Sequence, residues 1–462
     1  MNNITPAKTT RVISVDILRG ITIFVMIFAN FGFMDSPWFM RHYDYRAFSA
    51  ATYVDYIFSM FLLLVGISIP LAFKKYGDSF KDNLKAIAHV IIRSASLLFI
   101  GLLLINQPNL EKMGDWSFLH GFWDWTGAEN YTWVATCAWR ALMTAGIILA
   151  FNQTTADDYR WRRISLALRA VGWGILIYYM IVFVPQYTQN IPLELQEKPL
   201  WYRAWRCVFF DQGNWLRGGW WEIIGLIGWG YLGASLAYLF VRKFPELLYL
   251  VMTFFLIVAL SGMYGRFEGY EWLSRYAQRI GTYSFIVTLG VGAGTMLLRS
   301  SGNHKAMLSM IGKFLIMCLL LSALTTPLAG LGANGAEAED LWYGSIYRFL
   351  FGLNKNESTL GWLFTTGVIG AALWMVFYII CDIWKRDNFI LRFFRELGSV
   401  PLTAYIFQIF FFSVIFGTRA LVFSVDPEKS NMWISLICSL AVTVVICLAA
   451  VLCKKKKFSL KL

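Results

Sequence analysis

Residues 11–73 read RVISVDILRGITIFVMIFANFGF, then MDSPWFMRHYDYRAFSAATY, then VDYIFSMFLLLVGISIPLAF. The first and last runs are apolar, and each is long enough to cross a bilayer, for which about twenty residues suffice. A polar loop joins them, so the stretch predicts two antiparallel membrane helices. Inside this hairpin stand Asp16, Arg19, Asn30, His42, Asp44 and Asp55. Side chains this polar are expensive in or beside hydrocarbon and mark either a site or a tight helix contact.

The rest of the chain repeats the apolar theme. Of its 462 residues 58% are apolar and only 15% charged, a balance that belongs to polytopic membrane proteins of the all-α class. No stretch is polar enough for a soluble domain, and we read residues 1–462 as a single transmembrane domain. Candidate spans lie near 13–33, 53–73, 87–106, 133–151, 164–184, 221–241, 246–262, 283–298, 306–328, 361–383, 399–423 and 431–453. That is a bundle of about 11–12 helices by the twenty-residue ruler. The runs 246–262 and 283–298 are short, as tilted or re-entrant segments are. No internal repeat or low-complexity segment interrupts the pattern.

The net charge of +13 is not a nucleic-acid footprint, because the basic residues are scattered at helix ends rather than massed in one patch. They alternate instead. Lys74, Lys75, Lys81 and Lys85, then Arg160, Arg162 and Arg163, then Arg242 and Lys243, then Lys385, Arg386, Arg392 and Arg395 share one side, joined by the Lys454–Lys457 run. By the positive-inside rule that side is cytoplasmic. Both termini are then expected inside, with His42 on the opposite face. Lys8 and Arg11 precede a long apolar run without a small-residue cleavage site, so the first helix reads as an anchor that stays. The lysine run reads as an anchor to anionic membrane lipids.

Seven cysteines suggest no disulfide framework. Six (Cys137, Cys318, Cys381, Cys438, Cys447 and Cys453) fall in apolar runs, and Cys207 falls in an expected loop. There is no C-x-x-C or H-E-x-x-H, and His42, His89, His120 and His304 are far apart in sequence, so no metal is expected.

His42 is the leading candidate for chemistry. An imidazole can take a proton from an incoming amine and return it to a leaving group. Asp44 or Asp55 can hold such a ring in its working tautomer. Asn30, ending an apolar span, either donates to a developing oxyanion or simply terminates the helix. Asp16 and Arg19 are three apart on one helix face, placed to pair or to meet a ligand. Gly66 and Ser68 suit a close helix crossing. Arg93 and Arg140 sit in apolar runs and need an anionic partner, a carboxylate or a ligand phosphate. Glu222 and Asp382 stand at span ends, where an interfacial location accounts for them. His120 is a rival histidine in an aromatic outer loop. The tryptophan-rich stretch from Trp201 to Trp221 suits either a carbohydrate platform or an interfacial belt.

Ser14-Val15-Asp16-Ile17-Leu18-Arg19-Gly20 resembles the S-[LV]-D-x-[LF]-R-G opening of the heparan-α-glucosaminide N-acetyltransferase family, which includes bacterial NagX-like proteins. Asn30 and His42 fall at that family's asparagine and catalytic histidine. Thr52-x-x-Asp55 followed by Phe61 to Ile69 resembles its T-x-x-D…F-x-x-x-[VM]-G-x-S-I block. The loop between His42 and Thr52 departs from the family's H-A-x-W-x-G-x-T, being longer and lacking W-x-G, which bears on the acceptor. The resemblance implies an acyltransferase of the bacterial inner membrane that takes acetyl from cytoplasmic acetyl-CoA. The acceptor would be an amino sugar or glycan on the other side. On this reading Asp16, Arg19, Arg93 and Arg140 are candidates to hold acetyl-CoA, and a second copy of the chain stands among the candidate partners. Spans and topology alone fit a sugar or lipid-linked glycan transporter or flippase equally, although the paired broken helices and inverted repeat of transporters are missing. A purely structural envelope protein is a third reading.

Overall fold

A computed structural model describes residues 12–31, 42, 51–77, 79–108, 131–154, 159–185, 193–263, 271–300, 303–326, 350, 352–355, 357–422, 432–456 and 458–460. It is an all-α polytopic bundle. The helices are α1 (Ile13–Asn30), α2 (Tyr53–Phe73), α3 (Phe80–Ile105), α4 (Tyr131–Ala150), α5 (Tyr159–Val182), α6 (Leu200–Phe210), α7 (Glu222–Val241), α8 (Leu248–Met263), α9 (Glu271–Arg299), α10 (His304–Thr325), α11 (Leu360–Phe377), α12 (Phe389–Leu397), α13 (Pro401–Val422) and α14 (Met432–Lys455). Among the described residues ten helices are long and apolar enough to cross a membrane. An eleventh span results if α12 and the following Pro401–Gly417 segment, bent by 86°, count as one.

The twelve expected spans each have a helix, with two corrections. The run 283–298 is not short: α9 is 29 residues long, and its first turns are masked in the sequence by Glu271, Arg275, Gln278 and Arg279. The broken element lies at α12–α13 instead. Cys207, expected in a loop, is buried within α6.

α2 is the central post, packing on α1, α7, α9 and α11. The close approach to α9 depends on Gly66: a Cβ there would collide with the backbone carbonyl of Val287, and Gly290 and Gly294 answer from α9. Backbone contact through small residues is how membrane helices pack when lipid removes the hydrophobic drive, and the crossing expected at Gly66 is present. Gly20 does the same for α1, which lies directly against the Phe394 carbonyl of α12. The start of α1 is capped from a distance. A π-helical turn, Tyr378–Ile383, follows α11 and presents Asp382, whose carboxylate accepts from the Ile13 and Ser14 amides at 3.1 and 3.0 Å. An anionic cap satisfies free N–H groups and suits the helix dipole, so Asp382 has a structural task beyond its place at a span end. A two-stranded ribbon pairs β1 (Asn152–Thr154) with β2 (Phe458–Leu460). The Leu460 amide donates to Thr403 Oγ1 at 3.1 Å, and Lys454 pairs with Glu396. The basic tail is therefore tied to the α12–α13 break.

Candidate active site

The start of α2 explains why threonine and aspartate stand three apart. Asp55 Oδ2 accepts the Thr52 amide at 2.9 Å and the Thr52 hydroxyl at 3.3 Å; the first of these, with the Thr52 side chain facing the Asp55 amide in return, makes a helix capping box. That leaves Oδ1, which lies 2.7 Å from Nδ1 of His42. The carboxylate is buried, whereas the imidazole is half-exposed. The Asp55 carbonyl is itself fixed by the indole N–H of Trp362 on α11, at 2.9 Å. One carboxylate thus starts a helix and orients a histidine through Nδ1, and Nε2 is the ring nitrogen that it does not hold. A carboxylate-bound imidazole with one open nitrogen can work as a base.

The structure adds a residue that sequence reasoning missed. Lys355 Nζ lies 3.4 Å from His42 Nδ1 and 3.5 Å from Nε2. Its turn is clamped: the Asn354 amide donates to Thr359 Oγ1 at 3.0 Å, the Glu357 amide to Asn354 Oδ1 at 3.2 Å, and the Ser358 hydroxyl to the Tyr283 phenol at 3.2 Å. Burial pushes the Lys355 ammonium below the usual lysine range, and the Asp55 charge partly offsets this. One signal was available in sequence. Lys355 stands in a loop that the charge alternation assigns to the acidic, non-cytoplasmic side, where a lysine runs against the trend.

Below this end a cavity of about 380 Å³ lies against α2. It is lined by Phe61, Val65, Ser68, Ile69 and Ala72 of α2, with Ile23 and Met26 of α1 opposite. From Phe61 to Ala72 the wall runs about 16 Å at 1.5 Å per residue. Arg19, Arg93 and Leu460 line it as well, together with the Ser399–Leu402 break and Tyr405. Arg19 is paired with the buried Asp16 on its own helix, as their spacing anticipated, and it also lines the cavity. Arg93 stacks over Tyr231, 4.9 Å from the ring centroid. The walls between these cations are mainly apolar.

Other expected residues lie elsewhere. Asn30 is the last helical residue of α1, at the hairpin end. Arg140 is not among the residues lining the cavity; it is half-buried and lies within electrostatic reach of Glu222. Glu222 is more than interfacial: Oε1 accepts from the Tyr405 hydroxyl at 2.9 Å. The first half of the tryptophan-rich stretch forms α6, an amphipathic helix with Trp201 and Trp205 exposed and Cys207 buried, and Trp215, Trp220 and Trp221 follow in the connection to α7. Asp44 and His120 lie outside the described residues. No group of three or more metal-ligating side chains occurs among the described residues.

Fold and site together define an integral membrane protein with a histidine–carboxylate pair at the start of α2 and a lined cavity farther along the same helix. Residues 11–107 match the family described as heparan-alpha-glucosaminide N-acetyltransferase, catalytic. Over 103 residues the chain is 28% identical to the heparan-alpha-glucosaminide N-acetyltransferase of Mus musculus. To that of Homo sapiens it is 29% identical over the same length. Each alignment covers 22% of this chain and 15% of the relative. The family resemblance carried by the opening motif is therefore shown over the hairpin and α3, the part of the chain that holds His42, Asp55, Arg19 and Arg93.

Proposed function

We propose that this protein is a membrane acyltransferase that moves an acetyl group from cytoplasmic acetyl-CoA to an amino sugar or glycan on the opposite face. The observation that carries the reading is the His42–Asp55 pair at 2.7 Å, inside the region that matches the N-acetyltransferase family. His42 is the base that takes the proton of the attacking amine, and Asp55 fixes its ring. Asp44 is the alternative orienting carboxylate. Asn30 is a candidate donor to the thioester oxygen.

The cavity suits part of the donor. Its apolar walls fit a pantetheine arm, and Arg19 and Arg93 are the cations available to phosphate. It is too small for a whole coenzyme, so the nucleotide would lie outside it. Asp16 holds Arg19 in place. Arg140 lies outside the cavity lining and would meet only a part of the donor beyond it. Direct transfer within a ternary complex needs only one base when both reactants are held within attack distance. The membrane is taken to be a bacterial inner membrane with both termini cytoplasmic.

The test uses purified protein in detergent with labelled acetyl-CoA and a panel of amino sugars. Acceptor-dependent release of free CoA with acetylated sugar is expected. Counterflow of unmodified sugar in vesicles, without CoA release, would assign the chain to transport instead. Direct transfer further predicts no acetyl on the protein when acceptor is withheld.

A further inference from the structure

We propose that Lys355 is a second catalytic residue of this site, its ammonium meeting the negative charge that develops on the acetyl carbonyl oxygen. The inference rests on the acyl-transfer reading and adds a residue to it. Three observations carry it. Nζ is nearly equidistant from the two ring nitrogens of His42, at 3.4 and 3.5 Å. An ammonium has three donors, whereas an imidazole whose Nδ1–H is given to Asp55 offers one lone pair, so donors remain beside the ring for a substrate oxygen. The turn is also built for position, with Asn354, Ser358 and Thr359 buried and cross-bonded around the lysine. The lysine is half-buried, and a partly desolvated cation favours an anionic partner. Asp55 is shared with His42 and the start of α2.

In the step itself the acceptor nitrogen forms a bond to the acetyl carbon, and its proton passes to Nε2 of His42. The carbonyl electron pair moves onto oxygen, where Lys355 stabilises it. The pair then returns as the carbon–sulfur bond breaks, and the proton leaves His42 for the departing thiolate. Lys355 gives up no proton; it acts as a fixed charge, which a preorganised site makes effective.

Among the described residues, His42 and Asp55 of the hairpin act on Lys355 directly; Tyr56 lies beside Asp55, Glu357 is in the same turn, and Tyr283 of α9, itself near Arg279, is bonded to Ser358. A role as ammonium predicts that activity falls at high pH as Lys355 loses its proton. Burial places that fall below the ordinary lysine range. Arginine at this position keeps its charge throughout.

The experiment compares wild type, Lys355→Met and Lys355→Arg in detergent, measuring kcat, the KM for acetyl-CoA and the pH–rate profile. Lys355→Met is expected to lose roughly 10²- to 10³-fold in kcat, as loss of one oxyanion donor does, with KM for acetyl-CoA little changed. Lys355→Arg is expected to retain activity and to lack the basic limb. The proposal is overturned if Lys355→Met turns over within about threefold of wild type. It is equally overturned if the basic limb persists in Lys355→Arg. Should the methionine variant misfold, the arginine profile alone decides. A wild type that transfers no acetyl at all removes the acyltransferase reading and Lys355 with it, whereas an active wild type beside an active Lys355→Met removes Lys355 only.

Discussion

Two regions along α2, the histidine pair at its start and the cavity beyond Phe61, are built in different ways. At the hairpin end, His42 and Asp55 are thirteen positions apart, and the same carboxylate caps α2. Local chain geometry assembles most of that site. At the other end Arg19 comes from α1, Arg93 from α3, Ser399 from the break before α13 and Leu460 from β2. No spacing rule joins those four, and only the packing of the bundle brings them together. The hairpin end is thus a motif and the basic end a consequence of the fold. Substitutions should act accordingly, on turnover at one end and on donor binding or stability at the other.

The sharpest way to break that contrast is His42→Ala. Loss of a positioned base costs roughly 10²- to 10⁴-fold in turnover, and the half-exposed ring carries little packing, so thermal unfolding should stay close to wild type. Asp55→Asn should lose a comparable factor by releasing the ring tautomer. It should also melt earlier, because Asp55 accepts the Thr52 amide. Measuring kcat and Tm together separates the two. Near-normal turnover in His42→Ala would dissolve the hairpin site and turn attention to His120.

This contrast also explains what could be read in the sequence. The twelve apolar runs are written in composition, since each must satisfy its backbone within hydrocarbon. The Asp16–Arg19 pair and the Thr52–Asp55 cap follow from helical spacing of three. His42 was legible from its polar loop and neighbours. Lys355 was not, because it reaches His42 across 313 positions through the docking of α11 on α2. The length of α9 was hidden by charged residues in its first turns. The helix α12 before the 86° break reads as loop in the sequence, because Arg392 and Arg395 count there as basic residues of the cytoplasmic side. Asp382 looked interfacial because its partner, the start of α1, lies 368 positions away.

A smaller effect sharpens the basic end. Asp16→Asn leaves Arg19 in place without its partner carboxylate. A hydrogen bond to a charged group contributes about 1.5–3 kcal/mol, and Asp16 is buried while Arg19 is about a quarter exposed. A loss near 2 kcal/mol is therefore expected, read as a lower Tm in detergent or nanodiscs. Turnover at saturating acetyl-CoA should change little. Unchanged stability with abolished turnover would place Asp16 in the chemistry rather than behind Arg19.

Arg93→Gln should have the mildest effect and is the most specific probe of the basic end. The side chain lines the cavity yet is exposed, and its described contact is the face of Tyr231 at 4.9 Å. An exposed cation–π contact contributes only about 0.5–1 kcal/mol, so the fold should tolerate the change. If Arg93 meets a donor phosphate, removing one solvent-screened charge should raise the KM for acetyl-CoA by roughly three- to tenfold. Because the contact would be made equally in the ground state and the transition state, kcat should hold. Salt supplies the internal control: added sodium chloride should raise KM in wild type more than in Arg93→Gln, since screening removes what the variant already lacks. A variant whose kcat falls while KM and its salt dependence match wild type would move Arg93 out of the donor site and leave Arg19 as the one cation there among the described lining residues.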